Sequence, residues 1–171
     1  LLFQLSHQFT MSREIFSVKR LEHGFTLIEL LLVIAISLTI AASAAAPIYG
    51  NLQGTVQLHE STVQIVQMLR TARERSVAGV NNTSHGMYFD INTGVDSVVL
   101  YQGSSYGLRD AQYDRAYDLP VTITLTSTFG TDLSFSLGNG IPSATGTIMV
   151  TQEIIGQSTI SINELGVVAE E

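Results

Sequence analysis

The sequence predicts an α+β protein: a long N-terminal hydrophobic helix, kinked near Pro47, whose distal half packs on a mostly antiparallel β head. Three observations predict it. Residues 25–46 read FTLIELLLVIAISLTIAASAAA, 22 residues with a single charge. Polar residues then recur at spacings of three and four as far as about Ala78, the period of a helix with one wet face. From residue 85 onward, short β-branched and aromatic runs alternate with Gly and Asn turn signals, the pattern of many short strands. A helix followed by a run of strands belongs to the α+β class.

The apolar run is long enough to matter on its own. At about 1.5 Å per residue, a helix over 25–46 reaches the roughly 30 Å of a bilayer's hydrocarbon core. Its Leu, Ile, Val and Phe side chains outweigh the cost of the one carboxylate, Glu29, which is about 3 kcal/mol at a helix centre. Arg13, Lys19 and Arg20 all precede Gly24, so the positive-inside rule keeps that end in the cytoplasm and sends the remainder outward. A secretory signal cleaved among Ala41–Ala46 is the competing reading. Against it stands Glu29, because an ionised group inside an apolar helix is costly and is retained for a partner.

The residues at this junction, His23-Gly24-Phe25-Thr26-Leu27-Ile28-Glu29-Leu30 running into Leu31–Ile36, closely resemble the leader junction of type IV prepilins and type II secretion pseudopilins. The resemblance implies a leader of residues 1–24, cut after Gly24 by a membrane prepilin peptidase and followed by N-methylation of Phe25. It also implies that Glu29, the fifth residue of the processed chain, sets register by meeting the amino terminus of an adjacent subunit. A carboxylate in lipid is tolerable when paired in this way. An ordinary single-pass anchor with a stray glutamate is the plainer alternative. Met11 to Gly24 has the family's short basic form, so translation is expected to start at Met11, with Leu1–Thr10 upstream of it.

Pro47 removes one backbone hydrogen bond and is expected to bend the helix there; Gly50 and Gly54 add to the weakness. Beyond them Gln53, Gln57, Glu60, Gln64, Gln67, Thr71 and Arg75 form a polar stripe. Leu52, Val56, Leu58, Val63, Ile65, Val66, Leu69, Ala72 and Val77 form the opposite arc, broad enough to face both a sheet and a neighbouring subunit. Gly79, followed by Asn81 and Asn82, is a stop signal. The long helix is therefore set at residues 25–79, with 25–46 as its transmembrane or filament-core part and 80–171 as the head. A separate membrane helix followed by an unrelated soluble one is the alternative.

Strands are expected at Gly86–Phe89, Ser97–Tyr101, Val121–Thr126, Leu133–Leu137, Thr147–Thr151 and Thr159–Ile162. Hairpin turns are expected at Asn92-Thr93-Gly94 and Asn139-Gly140, with further reversals at Gly146, Gly156 and Gly166. Gly103 to Leu119, with Tyr106, Tyr113 and Tyr117 among Arg109, Asp110, Asp114, Arg115 and Asp118, reads as a long surface loop. The order of elements, with Met87-Tyr88-Phe89-Asp90 and the closing Ile160–Val167, is similar to the GspH/FimT branch of pilin-like proteins. That resemblance implies a minor pilin or pseudopilin of a type II secretion pseudopilus or a type IV pilus. Its partners would be other pilins in a filament, the prepilin peptidase and the inner membrane.

Composition narrows the chemistry. There is no cysteine, hence no disulfide framework and no thiolate metal site. His7, His23, His59 and His85 are scattered without zinc spacing, and neither a nucleophile elbow nor a phosphate-binding glycine loop is present. The reading is non-enzymatic, with no cofactor. Asp90, Asn92 and Asp96 place oxygens at spaced positions around a glycine, half of a calcium loop, but a hairpin turn explains the same residues. Some FimT-type pilins take up DNA through arginines near the end of the head. Here residues 164–171 read ELGVVAEE, and Phe25 to Glu171 carries 5 arginines against 13 carboxylates, which disfavours DNA as a partner. Arg109 and Arg115 beside the tyrosines offer the one place to stack bases, with Asp110, Asp114 and Asp118 cancelling their charge.

Overall fold

The computed structural model describes residues 24–91 and 94–171, except for the side chains of 44–48. The expected leader, Met11 and Asn92 lie outside the described residues. Contacts divide the chain into two units, Leu1–Ala42 and Ser43–Glu171. One α-helix, α1 (Leu27–Val77), is assigned through both. The bend expected at Pro47 falls among the residues whose side chains are outside the described set.

In the second unit α1 ends where the sequence says it must. Gly79 takes φ +65°, followed by Asn81 and Asn82 at φ +54°, left-handed values that Gly and Asn tolerate best. Ala78 N–H still donates to the Glu74 carbonyl at 2.8 Å, and the Ser76 carbonyl accepts from Gly138 N–H at 2.9 Å. The terminal carbonyls of the helix are thus satisfied partly by the head.

Among the described residues eight strands follow: β1 (His85–Asp90), β2 (Ser97–Gln102), β3 (Arg115–Asp118), β4 (Ile123–Ser127), β5 (Asp132–Phe135), β6 (Gly146–Gln152), β7 (Gly156–Ile162) and β8 (Val168–Glu170). They form two four-stranded antiparallel sheets, ordered β3-β2-β1-β5 and β4-β6-β7-β8. The six expected strands are present. Two more were hidden: β3 lies inside the segment read as a loop, and β8 lies in the acidic tail. Asn139-Gly140 lies in a tight reversal that folds the chain back on the end of β5: Phe135 bridges Pro142 antiparallel, Ser136 N–H donates to the Ile141 carbonyl and Ser143 N–H to the Ser134 carbonyl, each at 2.8 Å. Gly146 opens β6 rather than reversing the chain.

One core joins the helix and both sheets. Ile65, Val66, Met68, Leu69 and Ala72 of α1 pack with Met87, Phe89, Val98 and Leu100 of the first sheet and Ile123, Leu125, Ile148, Val150 and Ile160 of the second. Strand alternation supplies this face: Met87 and Phe89 point inward, as do Ile148 and Val150. The helix seam is narrower than the apolar arc suggested. Leu52, Val56 and Val77 are exposed, whereas Ser61, Thr62 and Ser76 are fully buried. Small hydroxyl residues let the sheets approach closely, and Thr62 satisfies its hydroxyl on the Leu58 carbonyl at 2.8 Å.

Gly54 also changes meaning. A Cβ there would lie 2.8 Å from Ile155, so this glycine admits the β6–β7 turn against the helix rather than loosening it. Gly166 does the same at the other end: it sits at φ +72°, and a Cβ would lie 2.5 Å from the Gly140 carbonyl oxygen and 2.9 Å from the Arg73 Nε. Arg73 and Arg70 hold this C-terminal segment by donating to the carbonyls of Leu165 and Val168, each at 3.1 Å.

Candidate functional site

The first candidate is the junction at Gly24 and Phe25. Gly24, Phe25 and Thr26 precede the helix in an open, exposed stretch, and a Cβ on Gly24 would meet nothing within 4 Å. A peptide bond after Gly24 is therefore presented without side-chain obstruction. Thr26 starts the helix. Its hydroxyl accepts from Glu29 N–H at 3.3 Å, and its carbonyl accepts from Leu30 N–H at 3.1 Å. Thr26-Leu27-Ile28-Glu29 is thus a capping box in sequence form, with the carboxylate in the first turn where the helix dipole favours a negative charge. Sequence reading gave Glu29 a role between subunits and missed this local one, although the Thr-x-x-Glu signal was available.

Beyond the cap, the helix presents apolar side chains all round: Leu27, Ile28, Leu30–Ile34, Ile36, Leu38 and Ile40 are all exposed, Leu31 to 60%. A helix hydrophobic on every side is one built to be buried. Two of its hydroxyls are satisfied within the helix: Ser37 donates to the Val33 carbonyl at 2.7 Å and Thr39 to the Ile36 carbonyl at 2.7 Å. That is the requirement an apolar surrounding imposes. Among the described residues no helix is long and apolar enough to cross a membrane. The described side chains of the apolar run stop at Ser43, and Leu27–Ser43 measures only about 25 Å at about 1.5 Å per residue.

The second candidate, the tyrosine-bearing segment after Gly103, is packed rather than free. Two single 3-10 turns, Tyr106–Leu108 and Ala111–Tyr113, lead into β3. Tyr106 stacks on Tyr88 with ring centroids 3.8 Å apart and planes 8° apart, and meets Tyr101 edge-on. Arg109 lies over the Tyr106 ring at 3.7 Å and pairs with Asp114 at 2.8 Å. Asp132 organises the cluster by accepting from the Tyr101 hydroxyl and from Tyr106 N–H. Burial, together with this carboxylate, pushes the Tyr101 phenol far above its ordinary value. Tyr101 lies directly on Gly86, where any Cβ would collide with its ring. The arginine–tyrosine stack offered as a place for bases is thus filled from within.

Of the calcium candidates Asp90, Asn92 and Asp96, Asn92 lies outside the described residues and Asp96 has another task. Asp96 Oδ2 accepts from Leu125 N–H at 2.6 Å, tying the start of β2 to β4. Among the described residues no group of three or more His, Asp or Glu side chains could hold a metal ion.

Comparison with known proteins bears on both halves. Residues 19–45 match the model of the prokaryotic N-terminal methylation motif. The fold is similar to the minor pseudopilin EpsH from the type 2 secretion system of Vibrio cholerae, with a TM-score of 0.54 and 15% identity over 67% of this chain and 96% of that one. It is likewise similar to the type IV minor pilin FimU of Pseudomonas aeruginosa, with a TM-score of 0.53 and 21% identity over 67% of this chain and 92% of the other. The second unit thus shares the fold of minor pilins and pseudopilins, and residues 19–45 carry the methylation motif. No curated protein matches the chain in sequence. The likeness is a short junction motif at one end and a shared α+β fold at the other.

Proposed function

We propose that this pilin-like chain is a minor pilin or pseudopilin subunit of a type II secretion pseudopilus or a type IV pilus. It is cut after Gly24 by prepilin peptidase, N-methylated on Phe25, and assembled with other pilins through α1. The observation that carries this reading is an open Gly24-Phe25 junction, capped by Thr26, at the head of a helix that exposes apolar side chains on every face. The chain is held in the inner membrane by a single N-in span over residues 25–46 before assembly, with the head at 80–171 outside the cytoplasm. Pro47 marks the change from lipid-born helix to head-packed helix. The role is structural and needs no catalytic group.

Glu29 is the assembly residue. In an apolar surrounding its carboxylate requires a positive partner, and the amino group of Phe25 in an adjacent subunit supplies one. The test is Glu29→Gln in cells that make the filament. The variant is expected to be cleaved like the parent but lost from sheared filament fractions. Incorporation at the parental level would refute the assignment. The DNA-uptake alternative predicts retardation of DNA by the full chain in a low-salt gel shift. With Arg109 stacked on Tyr106 and paired to Asp114, and with carboxylates closing the chain, no retardation is expected.

A further inference from the structure

At one end of the second sheet two apolar side chains are held out in solvent. Val121 and Ile154 are each 78% exposed. β4 begins where β6 ends, with Ile123 opposite Gln152, so the turns that carry Val121 and Ile154 stand side by side. Neither turn is slack. Ile123 N–H donates to the Pro120 carbonyl at 2.8 Å, and the Thr122 hydroxyl donates to Gln57 Oε1 of α1 at 2.9 Å. In the other turn Gln152 Oε1 accepts from Ile154 N–H at 2.8 Å and from Ile155 N–H at 2.6 Å. Ile155 goes in against Gly54, and Ile154 is left out.

The helix meets these turns with a matching surface. Tyr49, Leu52 and Val56 recur at spacings of three and four, one face of α1, and all three are exposed. They line one surface depression with Gln57, the residue that holds Thr122. The surroundings carry little charge. No Asp, Glu, Lys or Arg lies between Glu29 and Glu60 or between Asp118 and Asp132, and no Lys or Arg follows Arg115. Glu153 is the one carboxylate of the turn between β6 and β7.

We propose that this surface rests in the headgroup layer of the lipid bilayer, with Val121 and Ile154 dipped toward the acyl chains. The inference rests on the span over residues 25–46 proposed above. Tyr49 follows Ala46 by about 4–5 Å of helix, inside a headgroup layer of roughly 5–7 Å, where a ring with a polar hydroxyl is best placed. Leu52 and Val56 continue the same face outward. Membrane spans commonly tilt by about 20°, and apolar tips on one side favour the tilt that brings them down. Val121 and Ile154 are single side chains set apart by amides. Fluid lipid accommodates such tips one by one, whereas a protein partner needs a shaped pocket for each. With no Lys or Arg at hand, attraction to anionic lipid contributes nothing, and the contact is apolar.

The absence of cysteine makes the test direct. The full chain is labelled with nitrobenzoxadiazole at one introduced cysteine at a time, in Val121→Cys, Ile154→Cys, Leu165→Cys and Leu31→Cys, and placed in phosphatidylcholine vesicles that contain nitroxide-bearing lipids. Leu31 reports the span. Leu165 is 70% exposed and is held by Arg73 toward the C-terminal end of α1, so it reports what the label does by itself. Blue-shifted emission and quenching by the lipid nitroxide are expected at Leu31, Val121 and Ile154 but not at Leu165, with the same pattern when phosphatidylglycerol is added. Quenching at Leu31, with Val121 and Ile154 as unquenched as Leu165, would overturn the proposal and leave the span standing. Absence of quenching at Leu31 would overturn both. A blue shift at Val121 and Ile154 that comes without lipid quenching and grows with the protein-to-lipid ratio would assign the surface to a second copy instead. Equal quenching at all four positions, or a requirement for phosphatidylglycerol, would also overturn the proposal.

Discussion

The two halves of α1 use the same residue types to opposite ends. Leu31 and Ile34 are as apolar as Leu69 and Ile65, yet the first pair is exposed and the second fully buried. The difference lies in what the rest of the chain offers. Residues 61–76 present a seam of Ser61, Thr62, Ala72 and Ser76 between the large side chains, shaped to accept two sheets. Residues 27–40 have large apolar side chains on all faces and no seam. One half is specified by the protein's own sheets, and the other is left for an environment or a copy.

That contrast can be broken most sharply by truncation on each side. Leu69→Ala removes a fully buried side chain and is expected to cost about 2–5 kcal/mol in urea unfolding of the full chain in detergent. Leu31→Ala is expected to leave head stability within about 0.5 kcal/mol while lowering recovery in filament fractions. Equal stability losses would mean that both halves serve the fold.

Gly166→Ala tests the docking of the C-terminal segment on the helix. A left-handed φ and the approach to Gly140 predict a loss of about 1–3 kcal/mol, measured by the same unfolding. Tyr101→Phe leaves Asp132 short of a partner and is expected to cost about 1–2 kcal/mol. It carries a pH signature as well. Because the folded phenol is held above its ordinary value of 10.0, the parent loses stability as pH rises beyond about 10. Tyr101→Phe is expected to flatten that decline.

The smallest effect lies at the acid end. His85 is held below its ordinary value of 6.5, so the unfolded chain takes up a proton that the folded chain refuses. Stability is therefore fully present above about pH 6.5 and declines as pH falls from there toward the folded value. Urea midpoints at about pH 7 and about pH 5 check the sign; a midpoint that rises on acidification would contradict the burial of this ring.

Much of this was legible in the sequence because periodicity and turn chemistry are local. The helix stop at Gly79 and the six expected strands follow from patterns a few residues wide. What escaped depends on distant partners. β3, Arg115-Ala-Tyr-Asp, is a four-residue edge strand whose charges read as a loop, and its pairing is decided by β2. Asn139-Gly140 has the composition of a hairpin turn and makes one, with Phe135 bridging Pro142, but the returning arm is too short to be a strand and the chain then crosses to the other sheet. Gly54 and Gly166 read as breaks, yet each marks a close approach visible only in three dimensions. At the junction the reverse holds: Gly24, Phe25 and Glu29 were readable as a motif, and the Thr26 cap adds a local reason for their spacing.

The central claim is that Gly24 and Phe25 mark where the mature subunit begins. Mass spectrometry of the protein recovered from membrane and filament fractions tests it most directly. The account predicts an N-terminal peptide that starts at N-methylated Phe25. A chain that retains Met11–Gly24 in filament fractions, or one that begins after Ala41–Ala46, would contradict it.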